Sequence, residues 1–280
     1  MTEKTREFKF TKRDFDFIRR ISNERTGIVV SDEKFDMFYA RLSRRVRELG
    51  LKSFSQYCDL LKNDAGGDEV LELVNAVTTN LTAFFRENHH FEYLQDTVLP
   101  QLRKINKADH KIRIWSAGCS TGEEPYSLAI TLRETIAANG GWDARILATD
   151  IDSSVLSRAS KGVYAIDRVN GIPKARLRRW FMKGHGQQKG LVRSKPEIRS
   201  LIDFAQLNLM EDWTVDGPMD LIFCRNVIIY FDRDTKIKLI NRYADNLKEG
   251  GYLFVGHSES LFKICDRFEL IGNTIYRKTG

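Results

Sequence analysis

The sequence predicts an α/β fold: a parallel sheet that follows a helical N-terminal domain and carries a small inserted β-subdomain. Three observations lead there. Residues 1–90 repeat amphipathic helix spacing with little strand character. From residue 111 onward strand and helix patterns alternate, which builds a parallel sheet covered on both faces. The chain closes on two short strand patterns around Gly272-Asn273, a hairpin signal. At 280 residues there is length for one large domain or two modest ones, and 42% apolar with 30% charged residues is an ordinary soluble composition. No apolar run is long enough to span a bilayer, so no membrane insertion is expected. The first residues lack the apolar core of a secretory signal. Cys58, Cys119, Cys224 and Cys265 are scattered, which suits reduced thiols in a cytoplasm. The five histidines, His89, His90, His110, His185 and His257, show no metal-site spacing, so no metal is expected.

Each element has its own signal. Thr11 can cap a helix over 13–24, and Ser31-Asp32 can open one over 34–49 that closes at Gly50. Ser53 can start a third through 61, and 68–77 is a fourth. Residues 91–110 read as a connector between the helical domain (1–90) and an α/β domain (111–280). There, 111–116 is a strand, 125–138 a helix, 144–149 a strand ending at Asp150, and 154–161 a helix. A helical stretch at 174–182 precedes Gly184, Gly186 and Gly190, which punctuate the β-leaning residues 191–193: an inserted hairpin subdomain at about 183–200. Strands at 202–207, 219–224 and 252–255 follow, with a helix over 232–247 stopped by Gly250-Gly251, then the hairpin of 268–270 and 274–277. An antiparallel hairpin closing a parallel sheet is typical of Rossmann-like methyltransferases.

Ligands of open parallel sheets bind beyond the carboxyl ends of the strands. The first strand runs through a loop of small residues, 116–122, into Glu123-Glu124 and a helix. Small residues let backbone approach a ligand, and a helix N-terminus offers unpaired N–H groups. Acidic residues where a diphosphate would sit argue against dinucleotides and phosphates, and favour a ligand with hydroxyls or positive charge. Asp150, at the second strand end, can accept ribose hydroxyls. Asn208 and Leu209, at the third, suit an adenine ring, and Arg225-Asn226 through Tyr230 follow the fourth. S-adenosylmethionine fits: ribose, adenine, a sulfonium cation and no phosphate. The fourth strand end lacks the Pro-Pro of adenine-N6 enzymes, and Cys224 follows Phe223 rather than the proline of cytosine-C5 enzymes, so it reads as a core thiol.

Thr78-Thr-Asn-Leu-Thr-Ala-Phe-Phe-Arg86, Trp115-Ser-Ala-Gly-Cys-Ser-Thr-Gly-Glu-Glu-Pro-Tyr-Ser127, Ala148-Thr-Asp-Ile-Asp152, Phe223-Cys-Arg-Asn-Val-Ile-Ile-Tyr-Phe-Asp232 and Gly256-His-Ser-Glu259 together resemble the chemotaxis receptor methyltransferases, the CheR family, over almost the whole chain. The resemblance implies a cytoplasmic, monomeric protein-glutamate O-methyltransferase. Its cofactor would be S-adenosyl-L-methionine, its product S-adenosyl-L-homocysteine, and its partners the acidic helical methylation region of methyl-accepting chemoreceptors, with no nucleic acid. It further implies cofactor contacts at Asn80, Thr82, Arg86, Glu124, Asp150, Asn208, Leu209, Arg225 and Asn226, and catalytic positions at Arg86 and Tyr230. A glutamate, with an ordinary pKa of about 4.3, is already an ionised nucleophile at neutral pH and needs alignment rather than a base. Arg86 can orient a carboxylate of the substrate or of the cofactor's methionine end, or serve as a structural salt bridge. Glu124 can instead cap its helix, and Tyr230 can be a half-buried aromatic.

The net charge of +7 is uneven: residues 161–200 hold eleven Lys or Arg against Asp167 and Glu197, and Arg41, Arg44, Arg45 and Arg47 form a second cluster. Such clusters suit an anionic partner, either nucleic acid or an acidic protein surface, or a solvated face. Arg41, Arg44 and Arg47 recur every third residue and share one side of a helix. By the resemblance that helix meets the receptor, and the inserted β-subdomain grips a receptor C-terminal peptide in some members. The rival functions are a nucleic-acid methyltransferase and a non-catalytic S-adenosylmethionine sensor.

Overall fold

The computed structural model describes residues 6–64, 67–136, 140–215 and 217–280. The chain divides into two compact units: the first runs to Thr79 and takes in Tyr230–Thr235, the second comprises Asn80–Ile229 and Lys236–Gly280.

The first unit is built on α1 (Lys12–Thr26), α2 (Phe35–Glu48), α3 (Phe54–Lys62) and α4 (Asp68–Val77). Thr11 caps α1 in a reciprocal box with Asp14, and the Ser53 hydroxyl accepts the Gln56 N–H at the head of α3. Each such cap contributes about 1 kcal/mol. Phe15, Phe38, Leu42, Phe54 and Leu73 are fully buried on the facing sides of these helices. Leu42 and Val46 face this core from α2, as its spacing requires. The segment Tyr230–Thr235 joins this unit through an isolated antiparallel bridge between Ile28 and Phe231 and a bond from Val29 N–H to the Tyr230 carbonyl at 2.8 Å.

In the second unit α5 (His89–Tyr93) continues through one π turn, Leu94–Val98, into α6 (Leu99–Ile105). Alternation follows: β1 (Lys111–Ala117), α7 (Glu123–Thr135), β2 (Asp143–Asp150), α8 (Ser153–Lys161), β3 (Val163–Ala165), α9 (Lys174–Trp180), β4 (Phe181–Lys183), β5 (Leu191–Ser194), α10 (Pro196–Arg199) and β6 (Ile202–Gln206). It ends with β7 (Met219–Cys224), α11 (Arg233–Asn246), β8 (Leu247–Val255), β9 (Phe268–Gly272) and β10 (Ile275–Lys278). Seven strands form one sheet in the order β6-β2-β1-β7-β8-β10-β9. All neighbours are parallel except β10, which is antiparallel to both β8 and β9. Every residue of β7 is buried, as a central strand covered on both faces demands. The order reverses between β1 and β7, so the crevice beyond their carboxyl ends is the topological switch point.

Four elements differ from the sequence expectations. α7 starts at Glu123, not 125, because Gly122 turns the chain at φ +97° and Pro125, in the first turn, forfeits no helical bond; the expected end at 138 lies outside the described residues. α9 stops at Trp180, and Phe181–Lys183 is a strand. The small sheet has three strands, β3-β5-β4, because β3 before α9 pairs with β5. Gly250-Gly251 do not stop α11, which ends at Asn246; they lie inside β8. A Cβ on Gly251 would sit 2.8 Å from the Lys248 carbonyl oxygen and 3.1 Å from that of Asp220, so this glycine serves a close backbone approach.

Candidate functional site

The loop after β1 is held by backbone: the N–H groups of Gly118 and Cys119 both donate to the Thr149 carbonyl, at 2.8 and 2.9 Å. Gly118 has φ +85°, and a Cβ there would lie 2.5 Å from Val227 Cγ2, so the loops after β1 and β7 meet at van der Waals limit. Four non-glycine residues around this crevice also take left-handed backbone, Phe85, Glu87, Ser120 and Asn226, with φ between 50° and 61°. Such strain costs about 1–3 kcal/mol per residue and concentrates at functional sites.

Glu124, in the first turn of α7, does not cap its helix. Its carboxylate accepts the Ser116 hydroxyl at 2.7 Å and Arg225 Nη1 at 3.1 Å. Arg225 follows β7 with a side chain only 2% exposed. Its Nη2 lies 3.2 Å from Glu87 Oε2 and donates to the Arg86 carbonyl, and its guanidinium lies 5.6 Å from the centre of the Phe91 ring. One guanidinium thus stands between two carboxylates. Burial raises the Glu124 pKa, with Arg225 opposing it; at Glu87 burial acts in the same sense, but Arg225 and His257 outweigh it and the pKa falls. Arg225 Nε is buried without a hydrogen-bond partner.

Asp150 ends β2. One oxygen accepts Ser120 N–H at 2.8 Å and the other Asp152 N–H at 3.0 Å. Burial raises its pKa and these backbone donors oppose the rise. Each carboxylate oxygen keeps a further lone pair for an outside donor. Asp152 caps α8 and accepts Asn80 Nδ2 at 2.8 Å, while the Ser120 hydroxyl donates to the Asn80 carbonyl at 3.0 Å. Asn80, Ser120, Asp150 and Asp152 therefore form one connected set.

The remaining expected residues are dispersed. The Thr82 carbonyl accepts Arg168 Nη2 at 3.0 Å, and Arg86 Nη1 turns back to the Leu81 carbonyl at 2.9 Å. Asn208 Oδ1 accepts Met210 N–H at 3.0 Å, and the Leu209 carbonyl accepts Arg242 Nη1 at 2.8 Å. Asn226 is fixed from behind by Glu259, whose buried carboxylate accepts the N–H groups of Asn226 (2.8 Å), Ile229 (3.1 Å) and Gly256 (2.6 Å). Tyr230 is half-buried and belongs to the first unit. On α2, Arg41 is consumed as a helix cap, donating to the carbonyls of Val77 (2.8 Å) and Thr78 (2.7 Å) at the end of α4. Arg45 grips Glu69 and Arg47 pairs with Glu7, which leaves Arg44, 80% exposed and only loosely held by Glu48, as the most accessible of the four.

Glu87, Ser116, Ser120, Asp152, Arg168 and Glu259 are in contact with these residues and were not singled out from sequence as site residues; Asp152 and Glu259 stood in the motifs, but side chains bonded to distant backbone leave no local signal. S-adenosylmethionine suits this donor set: Glu124 and Asp150 offer carboxylate acceptors at the ends of β1 and β2, and the orphaned Arg225 Nε is a buried donor for a carboxylate. Glu87, His89 and His90 also place potential metal ligands within 4.8 Å of one another. There, His90 Nε2 is taken by the Asn273 carbonyl at 2.9 Å while its Nδ1 has no hydrogen-bond partner, and the Arg225 guanidinium 3.2 Å from Glu87 opposes a second cation at that carboxylate.

Two family descriptions match: "CheR methyltransferase, all-alpha domain" over residues 13–78 and "CheR methyltransferase, SAM binding domain" over residues 80–277. The chain is 45% identical over 263 residues to the chemotaxis protein methyltransferase of Escherichia coli, covering 92% of this chain and 89% of that protein. It is 43% identical over 273 residues to chemotaxis protein methyltransferase 2 of Pseudomonas aeruginosa, covering 96% and 94%. Against the chemotaxis protein methyltransferase of Salmonella typhimurium it is 41% identical over 278 residues, covering 99% and 93%.

Proposed function

The chain belongs to the CheR methyltransferase family, and from that membership we propose that it esterifies glutamate side chains on the cytoplasmic region of chemoreceptors, using S-adenosylmethionine. The observation that carries the cofactor side is the pair of carboxylates Glu124, 12% exposed in the first turn of α7, and Asp150, buried at the end of β2, where a phosphate-binding fold would place backbone donors alone. Bound S-adenosylmethionine supplies an electrophilic methyl on a sulfonium centre and is left as S-adenosyl-L-homocysteine. On this reading Asp150 and Asn80, joined through Ser120 and Asp152, would hold the ribose hydroxyls, and Asn208 and Leu209 would hold the adenine. Glu124 and Arg225 would meet the methionine end, with further contacts from Asn226, Thr82 and Arg86. The incoming glutamate is ionised at neutral pH, so the residues facing it align the oxygen and exclude water rather than remove a proton. Arg86 and Tyr230 have that aligning role.

Arg44 is the residue of α2 best placed to steer an acidic receptor surface, because its exposed i,i+4 pair with Glu48 is worth only about 0.3–0.5 kcal/mol and opens readily. Among the described residues no helix is long and apolar enough to cross a membrane. The test is incubation of the protein with methyl-tritiated cofactor and receptor-containing membranes. Label released as volatile methanol by mild base is the expected outcome. Base-stable label on protein, or label retained on added nucleic acid, would overturn the proposal.

A further inference from the structure

The segment from Asn80 to Asn88 carries Asn80, Thr82 and Arg86 but has no regular structure of its own, so its shape must come from what it touches. Two of its anchors come from the small antiparallel sheet. Arg168, in the short helical turn Ile166–Val169 that follows β3, donates Nη2 to the Thr82 carbonyl at 3.0 Å and, through the same nitrogen, to the Glu123 carboxylate. Glu123 is fully buried at the first residue of α7, and its other oxygen accepts the Thr121 hydroxyl at 2.6 Å. Phe84 packs edge-on against Tyr164 of β3 and Phe181 of β4, with ring centres 4.9 and 5.5 Å apart. Tyr164 in turn donates its hydroxyl to the Thr121 carbonyl at 2.9 Å, inside the loop after β1. A Cβ on Gly122 would lie 2.8 Å from that hydroxyl, so the glycine keeps room for it.

We infer that Arg168 is a positioning residue for the Thr82–Arg86 segment, and that the small sheet, through Arg168 and Tyr164, is part of the scaffold of the cofactor site and not only an appendage beside it. The inference rests on the proposed assignment of Thr82 and Arg86 to that site. Its physical basis is geometric: Nη2 carries two N–H groups held in the guanidinium plane, and it meets both the Glu123 carboxylate and the Thr82 carbonyl. A lysine ammonium ends one bond nearer the backbone on a flexible stem, and its N–H directions are not fixed by a plane, so it keeps the charge toward Glu123 without fixing the Thr82 carbonyl.

That difference supplies the experiment. Arg168→Lys, Arg168→Gln and, as a control on the site itself, Asp150→Asn are compared in the full chain. The three measurements are thermal melting, calorimetric titration with S-adenosyl-L-homocysteine, and amide hydrogen exchange of residues 82–86 without ligand. Arg168→Lys should melt close to the parent, yet exchange faster across 82–86 and bind the product roughly five- to tenfold more weakly, the loss of about one hydrogen bond of ordinary net strength. Arg168→Gln should show the same loss and also melt earlier, since Glu123 is left buried with fewer partners. If Arg168→Lys matches the parent in both exchange and affinity, Arg168 merely neutralises Glu123 and the inference is wrong. If Asp150→Asn also binds the product normally, the cofactor-site assignment fails, while loop exchange still decides the role of Arg168.

Discussion

Glu259→Gln should disable the crevice without touching any residue that faces it. The carboxylate is buried and accepts the backbone N–H groups of Asn226 and Gly256 on Oε2 and of Ile229 on Oε1. Burial raises its pKa, and the backbone donors of Asn226, Gly256, Ile229 and Val227 oppose that rise. A glutamine amide keeps one acceptor oxygen, which can retain Asn226 and Gly256. Its NH2 then points at the Ile229 N–H, donor against donor. An unsatisfied buried donor costs about 1–3 kcal/mol, and the two retained bonds lose their charge assistance, so the total is on the order of 2–4 kcal/mol. At roughly 2–4 °C per kcal/mol for a unit of this size, melting should fall by about 5–15 °C. Because Glu259 fixes the turn that carries Asn226 directly after Arg225, product affinity should weaken as well. The assay is thermal melting by circular dichroism with calorimetric titration by S-adenosyl-L-homocysteine. A variant melting within about 2 °C of the parent and binding normally would show that the turn is held by its own backbone.

Gly118→Ala should abolish cofactor binding, as its Cβ would meet Val227 at 2.5 Å on backbone with φ +85°; Val227→Ala in the same chain should restore part of it, and no restoration would leave the backbone conformation as the whole cause. His90 is buried, and burial first, then the Arg225 charge, lowers its pKa from 6.5 to about 4. The unfolded chain therefore protonates first, and stability falls as pH drops from about 6.5 to 4, by on the order of 3 kcal/mol. His90→Gln should flatten that slope in urea melts taken across the window; an unchanged slope would assign it to other groups. Asp150→Ala should weaken cofactor binding and Arg44→Ala should slow receptor methylation at unchanged cofactor affinity; failure of both in cofactor binding alone would refute this separation of roles. Glu124→Gln should weaken binding of the sulfonium cofactor more than of its neutral thioether product, and equal losses in paired titrations would remove charge as the reason.

Much of the architecture is legible in the chain because local signals and tertiary demands coincide. α4 and β7 occupy the residues that periodicity and an unbroken apolar run indicate, and Thr11 and Ser53 cap the helices they precede. The errors fall where a residue answers to something distant. Gly250-Gly251 look like a helix stop, but the Asp220 backbone beside β8 dictates Gly251. Arg41 shares a helix side with Arg44, yet it is drawn to carbonyls at the end of α4, more than thirty residues along the chain. The candidate site follows the same division. Strand alternation alone puts Glu124, Asp150 and Asn226 beyond strand ends. That Glu124 meets Arg225, and that Glu259 holds the turn behind Asn226, depends on β1 and β7 being neighbours across the reversal of strand order.

The charge of the crevice is managed in two ways with different consequences. Asp150 and Glu259 are satisfied by backbone N–H groups, dipoles that the fold fixes and that add no counter-charge. Glu87 and Glu124 both face the guanidinium of Arg225, and Glu87 also has Arg86 Nε at 4.0 Å and His257 Nδ1 at 3.3 Å. Glu124 has Arg225 as its ion-pair partner and shares it with Glu87, and little exposure to solvent makes that sharing costly. Burial accordingly pushes Glu124 toward protonation while Arg225 resists it. A cationic group beside Glu124 would relieve that cost, whereas a phosphate would add negative charge to it. The acidic pair Glu123-Glu124 after a glycine-poor loop, the oddest feature of the sequence as a nucleotide site, is thereby explained. Glu123 is occupied by Arg168 and Thr121, and Glu124 is one of three members of an ion triad with Arg225 and Glu87. The same reasoning limits the basic surface: where an arginine is already matched to a carbonyl or carboxylate, as Arg41, Arg45, Arg168 and Arg176 are, formal charge overstates what a partner can reach. On the proposed function, steering of an acidic receptor would fall to exposed residues such as Arg44, and salt should slow receptor encounter more than it weakens cofactor binding.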